Sequence, residues 1–414
     1  MKVIRSYKFR IYPNDKCQNA IENQLALSKD FYNKLLEKAK EAYKKDKSFK
    51  IKRSTFNRIK AEIIAENKDF LKIYSQTRCE IEDRVIKAYA NFFRRVKEKK
   101  SGKRVKTGFP RFKSRDRYYS IVYPQDNGSF SVEKERKKEM LRVSRIGGMQ
   151  IEMHRRIEGK IKTMTIKKEG KEYYAVFTAE QIINPPEVGD TNPVGIDMGL
   201  NNFVALSDGK TIQKPKFFKQ KEKKIARWQK IVARRDKGSK RRQKAKEKLQ
   251  SSWNEVTRAS DDFMHKLSDK LVHEGYTSFA VEALHIDNMV KNHRLAQSIH
   301  NASWNRFIQM LSYKAESAGM KVIKVDARDT SKTCSNCGNI MDMPLGTMEY
   351  ICNRCGMQMD RDVNAAINIL KRGRAGLART YAQGDICLYG AKGAASSVEE
   401  LRTYPATAGE AHTL

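Results

Sequence analysis

Cys334-Ser335-Asn336-Cys337 and Cys352-Asn353-Arg354-Cys355 are two CxxC pairs, and a glycine, Gly338 or Gly356, follows each directly. Each pair offers two thiolates at the bite of a tetrahedral ion, and glycine permits the tight turn that carries the chain back. Fourteen residues separate the pairs, enough for a small ribbon. The spacing therefore predicts a structural Zn²⁺ held by Cys334, Cys337, Cys352 and Cys355. A redox dithiol or an iron–sulfur centre is the competing use. With four thiolates the ion has no open position, so it holds shape rather than doing chemistry. Cys17, Cys79 and Cys387 stand alone, which is not a secreted disulfide framework and points to a reducing, cytoplasmic compartment.

Charge is the second constraint. The 414 residues carry 84 Lys and Arg against 48 Asp and Glu, a net charge of +36. Such a surplus repels itself unless a polyanion neutralises it, and nucleic acid does so with release of counterions. A solvated basic surface is the blander alternative. The length suits roughly two to four domains, and a hydrophobic share of 39% can build cores. No apolar run approaches the roughly 18 residues of a membrane span, and the start lacks the apolar stretch of a secretory leader. Membrane and secreted readings are set aside.

The cations concentrate in two places. Residues 94–117 hold twelve Lys and Arg against Glu98 and Asp116. There Lys103, Arg104, Lys106, Arg111 and Lys113 interleave with Phe109 and Phe112, so phosphate contacts and base stacking are expected, with a plain basic linker as the alternative. Residues 214–248 hold seventeen against three acids. Two helices are expected there, joined near Gly238-Ser239 and continuing to Leu271. Arg234, Arg235, Arg241 and Arg242 lie beside that turn, where a phosphate backbone could run.

Periodicity supplies the rest. Residues 3–12 alternate as a strand, and Asn14 or Asp15 can cap the segment after it. Helical spacing at Ile21–Leu36, Thr55–Ile64 and Ile81–Phe93 predicts a bundle. Residues 118–183 predict short antiparallel strands in a small barrel or sandwich, which the first strand could join. After Pro185-Pro186 an α/β domain begins, with strands at Val194–Asp197, Ser278–Leu284 and Val322–Val325. A long helix carries Trp304 and Phe307. A short helix spans 362–370, and a loosely ordered tail follows from about Arg372.

Three carboxylates occupy informative places. Asp197 ends an apolar strand and shares its face with Gly195, whose small size leaves room for a metal or phosphate. Glu282 lies within Phe279-Ala280-Val281-Glu282-Ala283-Leu284, a costly place for an unpaired charge. Asp362 shares a helix face with Ala365, Ala366 and Ile369, and the alanines allow close approach to a sheet. Singly, these could be a turn residue, half of a buried ion pair and a helix N-cap. Together, as hard oxygen ligands with no histidine at matching places, they favour Mg²⁺ or Mn²⁺. Two such ions could activate water and stabilise the leaving oxygen of a phosphodiester.

Several segments carry a family resemblance. They are Phe9-Arg10-Ile11-Tyr12-Pro13, Gly108-Phe109-Pro110-Arg111-Phe112-Lys113, Gly195-Ile196-Asp197-Met198-Gly199, Val281-Glu282, Ser303-Trp304-Asn305-Arg306-Phe307, Thr330-Ser331-Lys332-Thr333-Cys334 and Asp362-Val363-Asn364-Ala365-Ala366. In order and spacing the chain resembles the TnpB (OrfB) proteins of IS200/IS605-type insertion sequences, over nearly its whole length. The resemblance implies a multidomain α/β plus α+β protein: an RNase H-like RuvC nuclease with a zinc-ribbon insert, a small wedge β-barrel and a helical recognition lobe. It places the first barrel strand at 1–12, the recognition lobe at 13–100 and the rest of the barrel at 101–184. The nuclease would span 191–330 with its basic hairpin at 214–271, the ribbon 331–359, the final nuclease helix 360–372 and the tail 373–414. It implies a transposon-encoded, RNA-guided endonuclease that cuts double-stranded DNA beside a short motif. Asp197, Glu282 and Asp362 would be its metal-binding carboxylates, and a transposon-end guide RNA its partner, one chain per RNA. Base pairing would carry specificity, leaving the protein a cationic channel and a short motif to read. A compact type V CRISPR effector, a nuclease-silent RNA-guided repressor and a transposase proper are the alternatives. The intact trio argues against the silent form.

Overall fold

The computed structural model describes residues 2–46, 51–125, 127–135, 138–186, 188–199, 202–213, 215, 217–283, 295–326, 328–343 and 347–383. The strand end expected at Leu284 and the tail beyond 383 lie outside the described residues. The chain divides into two compact units, residues 2–182 and residues from 183 onward.

The first unit is built on β1 (Lys2–Tyr12). Its alternation buries Tyr7, Phe9 and Ile11 and leaves Lys8 and Arg10 on the opposite face. Pro13 ends the strand, and the Asn14 side chain then accepts a hydrogen bond from the Cys17 N–H at 2.8 Å, capping α1 (Asp15–Lys45). Helices α2 (Arg53–Glu66) and α3 (Ser75–Lys100) come next. Their buried faces, with Phe31, Leu35, Phe56, Ile63, Val85 and Tyr89, share one continuous core with the sheet. The remaining strands are β2 (Ser120–Tyr123), β3 (Phe130–Glu135), β4 (Lys138–Val143), β5 (Gly147–Glu152), β6 (Lys160–Glu169) and β7 (Glu172–Ile182).

The seven strands pair antiparallel in the order β2-β6-β7-β1-β5-β4-β3. β1 sits between β7, with Lys2 opposite Ile182, and β5, with Arg10 opposite Glu152. Of the small barrel or sandwich expected, the structure shows a half-barrel sheet: among the described residues β2 and β3 are its two edges and do not pair with each other. Alternation assigns faces but says nothing about closure, and β2, at four residues, bonds only to β6.

The second unit holds a five-stranded sheet in the order β10-β9-β8-β11-β12. β8 (Pro193–Asp197), β11 (Ser278–Glu282) and β12 (Lys321–Val325) are parallel, while β9 (Asn202–Leu206) and β10 (Thr211–Gln213) form an antiparallel meander from β8. The near-continuous apolar runs of β8, β9 and β11 fit a sheet covered on both faces. One face packs on α5 (Lys240–His273) and α6 (Leu295–Ser317) through Leu267, Leu271, Trp304, Phe307 and Leu311. On the other lies α7 (Arg361–Gln383), whose Ile369 meets Ala280 and Val325. α4 (Phe217–Arg234) pairs with α5 as the basic hairpin; Ser239 caps α5, and Glu255 bridges Lys221 at 2.8 Å and Lys224 at 3.2 Å.

The final helix, expected to stop at 372, runs on to Gln383. The helix continues through Gly373, whose role is proximity. A Cβ there would lie 2.7 Å from the Ala280 Cβ, so glycine is what lets the helix lie on β11.

Candidate functional site

Asp197 and Glu282 end neighbouring parallel strands. Val281 is in register with Ile196, so the two carboxylates leave the sheet side by side at its carboxyl edge. Asp362 reaches the same edge from the first turn of α7, which lies against β8. A Cβ on Gly199 would stand 2.9 Å from an Asp362 carboxylate oxygen. The helix N-cap is Asp360, whose side chain accepts from the Asp362 and Val363 N–H groups at 2.8 and 3.1 Å. Asp362 is thereby freed from the capping role. The Gly195 expectation is corrected: the space beside it is filled by α7, and a Cβ there would meet the Ala366 carbonyl oxygen at 2.0 Å. Gly195→Ala is expected to push the helix off the strand and destabilise the protein by about 3 kcal/mol, the upper end of overpacking costs. A thermal melt within a degree of wild type would contradict that.

All three carboxylates are half-buried, and all three hold their protons more tightly than usual. Asp197 rises well above the ordinary carboxylate value through burial, reinforced by the charges of Glu282 and Asp362 and offset in part by the Met198 N–H and Arg361. Burial raises Glu282, against a hydrogen bond from the Thr330 hydroxyl at 2.6 Å and the charge of Arg372. Burial and then Asp360 raise Asp362, against Asn202, whose amide donates to it at 3.4 Å. Buried carboxylates, with Asp197 further raised by the charges of Glu282 and Asp362, are what a divalent cation would relieve, and the all-oxygen donor set suits Mg²⁺ or Mn²⁺.

The four cysteine sulfurs, Cys334, Cys337, Cys352 and Cys355, all lie within 4.8 Å of one another. The two knuckles are near copies. The Gly338 N–H donates to the Cys334 carbonyl and the Gly356 N–H to the Cys352 carbonyl, each at 3.0 Å, and both glycines have positive φ, 74° and 72°. The chain returns through Cys334 N–H to Asn339 and Cys352 N–H to Met357, each 2.8 Å. β13 (Glu349–Ile351) and β14 (Gln358–Asp360) make the small ribbon, closed over buried Tyr350. N–H groups of Cys355 and Arg354 pull Cys352 down to about 6. Cys337 gains from the Asn339 N–H, yet burial and the neighbouring thiols push it up to about 11. Four convergent sulfurs, with Cys352 and Cys355 drawn toward the thiolate, fit a tetrahedral thiophilic ion.

Two asparagines that sequence reasoning missed tie ribbon to helix. Asn364 accepts from the Ser335 N–H and donates to the Thr333 carbonyl, both at 2.8 Å. Asn368 donates to the carbonyls of Thr330 and Thr333 at 3.0 and 2.7 Å. The available signal was their i, i+4 spacing on the side of the helix turned from its alanines.

The basic residues are placed as two groups, one in each unit. Lys103, Arg104, Lys106, Arg111 and Lys113 are exposed on the segment after α3. Phe109 stacks on Phe92 with centroids 4.5 Å apart, and Lys40 covers the Phe112 ring, so both aromatics already have protein partners. Lys106 and Arg111 join Asn91, Arg95 and Lys99 around a cleft of about 750 Å³. In the other unit, Arg234, Arg235 and Arg241 are exposed and Arg242 is half-buried at the hairpin turn.

Known proteins match along most of this architecture. Residues 167–293 match the sequence model of IS605 OrfB proteins, described as a probable transposase, and residues 304–369 that of the Cas12f1-like TNB domain. Residues 1–48 match the model of the OrfB helix-turn-helix domain, although the described residues there form a strand at Lys2–Tyr12 and one helix at Asp15–Lys45. A Streptomyces pristinaespiralis protein named as an RNA-guided DNA endonuclease is 31% identical over 387 residues, 90% of each chain. InsQ of Escherichia coli (strain K12), named likewise, is 25% identical over 70% of this chain and 73% of its own. The fold is shared with Cas12f1 in its complex with single guide RNA and target DNA, at a TM-score of 0.58 and 13% identity, over 89% of this chain and 98% of that one. No helix among the described residues is long and apolar enough to cross a membrane. With a relative 31% identical over 90% of each chain and two OrfB family models matched, the chain belongs to the TnpB (OrfB) family.

Proposed function

We propose that this protein is an RNA-guided DNA endonuclease of transposon origin. It cuts double-stranded DNA beside a short motif through one site formed by Asp197, Glu282 and Asp362. The observation that carries the reading is the junction of those three carboxylates at one sheet edge, each raised in pKa, in a chain of net charge +36. Mg²⁺ or Mn²⁺ held there would supply an activated water and neutralise charge on the leaving phosphodiester oxygen. The chain's own part is placement: β8 and β11 fix two of the ligands and α7 the third, while Thr330 and Asn202 orient oxygens that would otherwise turn freely. Cys334, Cys337, Cys352 and Cys355 would hold Zn²⁺ as a brace. The guide is an RNA copied from the transposon end, bound by one protein chain. The exposed cations at 103–113 and around 234–242 would lie along phosphates, where each contact adds affinity and salt sensitivity but no base readout.

The test starts with the RNA that copurifies. That complex is challenged with a plasmid library carrying a guide-matched target and randomised flanks. Cleavage confined to one flanking motif, requiring both the RNA and Mg²⁺ or Mn²⁺, is the expected result. Cleavage in EDTA, or cleavage indifferent to the guide, would sink the proposal.

A further inference from the structure

We infer that the first cysteine knuckle acts on the carboxylates, through Thr330, Asn364 and Asn368 as positioning residues. The inference rests on the metal-binding role proposed above for Asp197, Glu282 and Asp362. Two routes of hydrogen bonds leave the knuckle. The first is short: the Ser335 N–H donates to Asn364, two residues along the helix from Asp362. Lys371, two turns further on, donates to the Ser335 carbonyl, so the knuckle grips the helix at two levels. The second runs through Asn368, which ties the carbonyl of Thr333, next to Cys334, to the carbonyl of Thr330. The Thr330 hydroxyl then donates to one oxygen of Glu282.

Burial makes these bonds selective. Thr330 is 3% exposed, Asn364 0% and Asn368 6%, so water cannot readily replace a lost partner. The two faces of α7 have separate tasks. Ala366 and Ile369 meet the sheet, while Asn364, Asn368 and Lys371 hold the knuckle. Shifting the knuckle therefore displaces Asp362 with the helix and Glu282 with Thr330. Thr330 engages one Glu282 oxygen, and the other is assigned to the cation. Outer partners of this kind typically change metal affinity about 10–100-fold when removed.

The test is Mn²⁺ affinity, measured by electron paramagnetic resonance on the full-length, zinc-loaded protein without DNA. Thr330→Val keeps the shape and deletes the donor. It should weaken Mn²⁺ binding about 10-fold, and Thr330→Ser should restore it. Asn368→Ala leaves the hydroxyl in place and removes the anchor of its backbone. It should act in the same direction, and the double variant Thr330→Val, Asn368→Ala should be weaker than Thr330→Val by no more than about two-fold, because the two act in series. Unchanged affinity in both single variants, or full additivity in the double, overturns the inference. Asp362→Ala separates the two layers. If it abolishes Mn²⁺ binding while Thr330→Val and Asn368→Ala do nothing, only the positioning role fails. If wild type and Asp362→Ala bind Mn²⁺ alike, the proposed metal site itself fails. Should Thr330→Val not fold, Asn368→Ala read against Thr330→Ser still decides.

Discussion

Asp197→Ala, Glu282→Ala and Asp362→Ala should each lower DNA cleavage by about 1,000-fold or more, since losing a cation that contributes several kcal/mol to the transition state costs a factor of ten per 1.4 kcal/mol. Binding of the guide RNA, followed by mobility shift, should stay within a few-fold of wild type, because the carboxylates repel phosphate rather than hold it. Cleavage surviving in all three would end the assignment. A second consequence has the opposite sign. Each carboxylate is raised in the folded, cation-free protein, Asp197 most of all. Such a group stabilises the fold while protonated, and that contribution is lost as the pH rises through its folded-state value. In EDTA, stability should therefore fall from the ordinary carboxylate range upward, and Asp197→Ala should melt higher than wild type at pH 8 while cutting nothing. Protons and cations compete for the same oxygens, so the Mg²⁺ concentration for half-maximal cleavage should climb as the pH is lowered. A flat profile in both measurements would contradict the packing described for Asp197.

The ribbon should respond as strongly to loss of its ion. Structural zinc contributes on the order of 10–16 kcal/mol in small domains that fold around it, and β13 and β14 are three residues each. Chelation, or Cys334→Ser with Cys352→Ser, should unfold residues 331–359 and expose them to protease, leaving the unit of residues 2–182 intact. Zinc stoichiometry near one in wild type and near zero in the double variant, by elemental analysis, accompanies this. Thiolates must form before zinc binds, so affinity should fall with pH. Native folding and full cleavage in the zinc-free double variant would count against a structural ion.

Much of this was legible in the residues, for identifiable reasons. The CxxC spacing survives any arrangement of the rest, because two thiolates and a turn are a local matter. The carboxylates stood out because an acid at the end of an apolar strand in so basic a chain is costly unless used. The features that escaped were those decided by contact. Gly195 reads as spare room, yet it and Gly373 are both places where a helix lies on a strand. Asn364 and Asn368 look like ordinary helix surface until Thr333 and Ser335 arrive from thirty-odd residues away. Phe109 and Phe112 read as base-stacking rings; each also has a protein neighbour, Phe92 and Lys40, that no spacing announced, and both stay about half exposed. Whether strands close into a barrel depends on the two outermost partners, and no pattern within one strand encodes that.

The position of β1 has a consequence for synthesis. The strand made first lies in the middle of its sheet, and its longest ladder is with β7, the strand made last in that unit. Until about residue 182 clears the ribosome, β1 has no β7 to lie against, while three helices are already complete. Closing so long a loop is slow. The nascent chain should therefore pass through a helical intermediate with one orphan strand, an open edge for a neighbouring ribosome's product or a chaperone to capture.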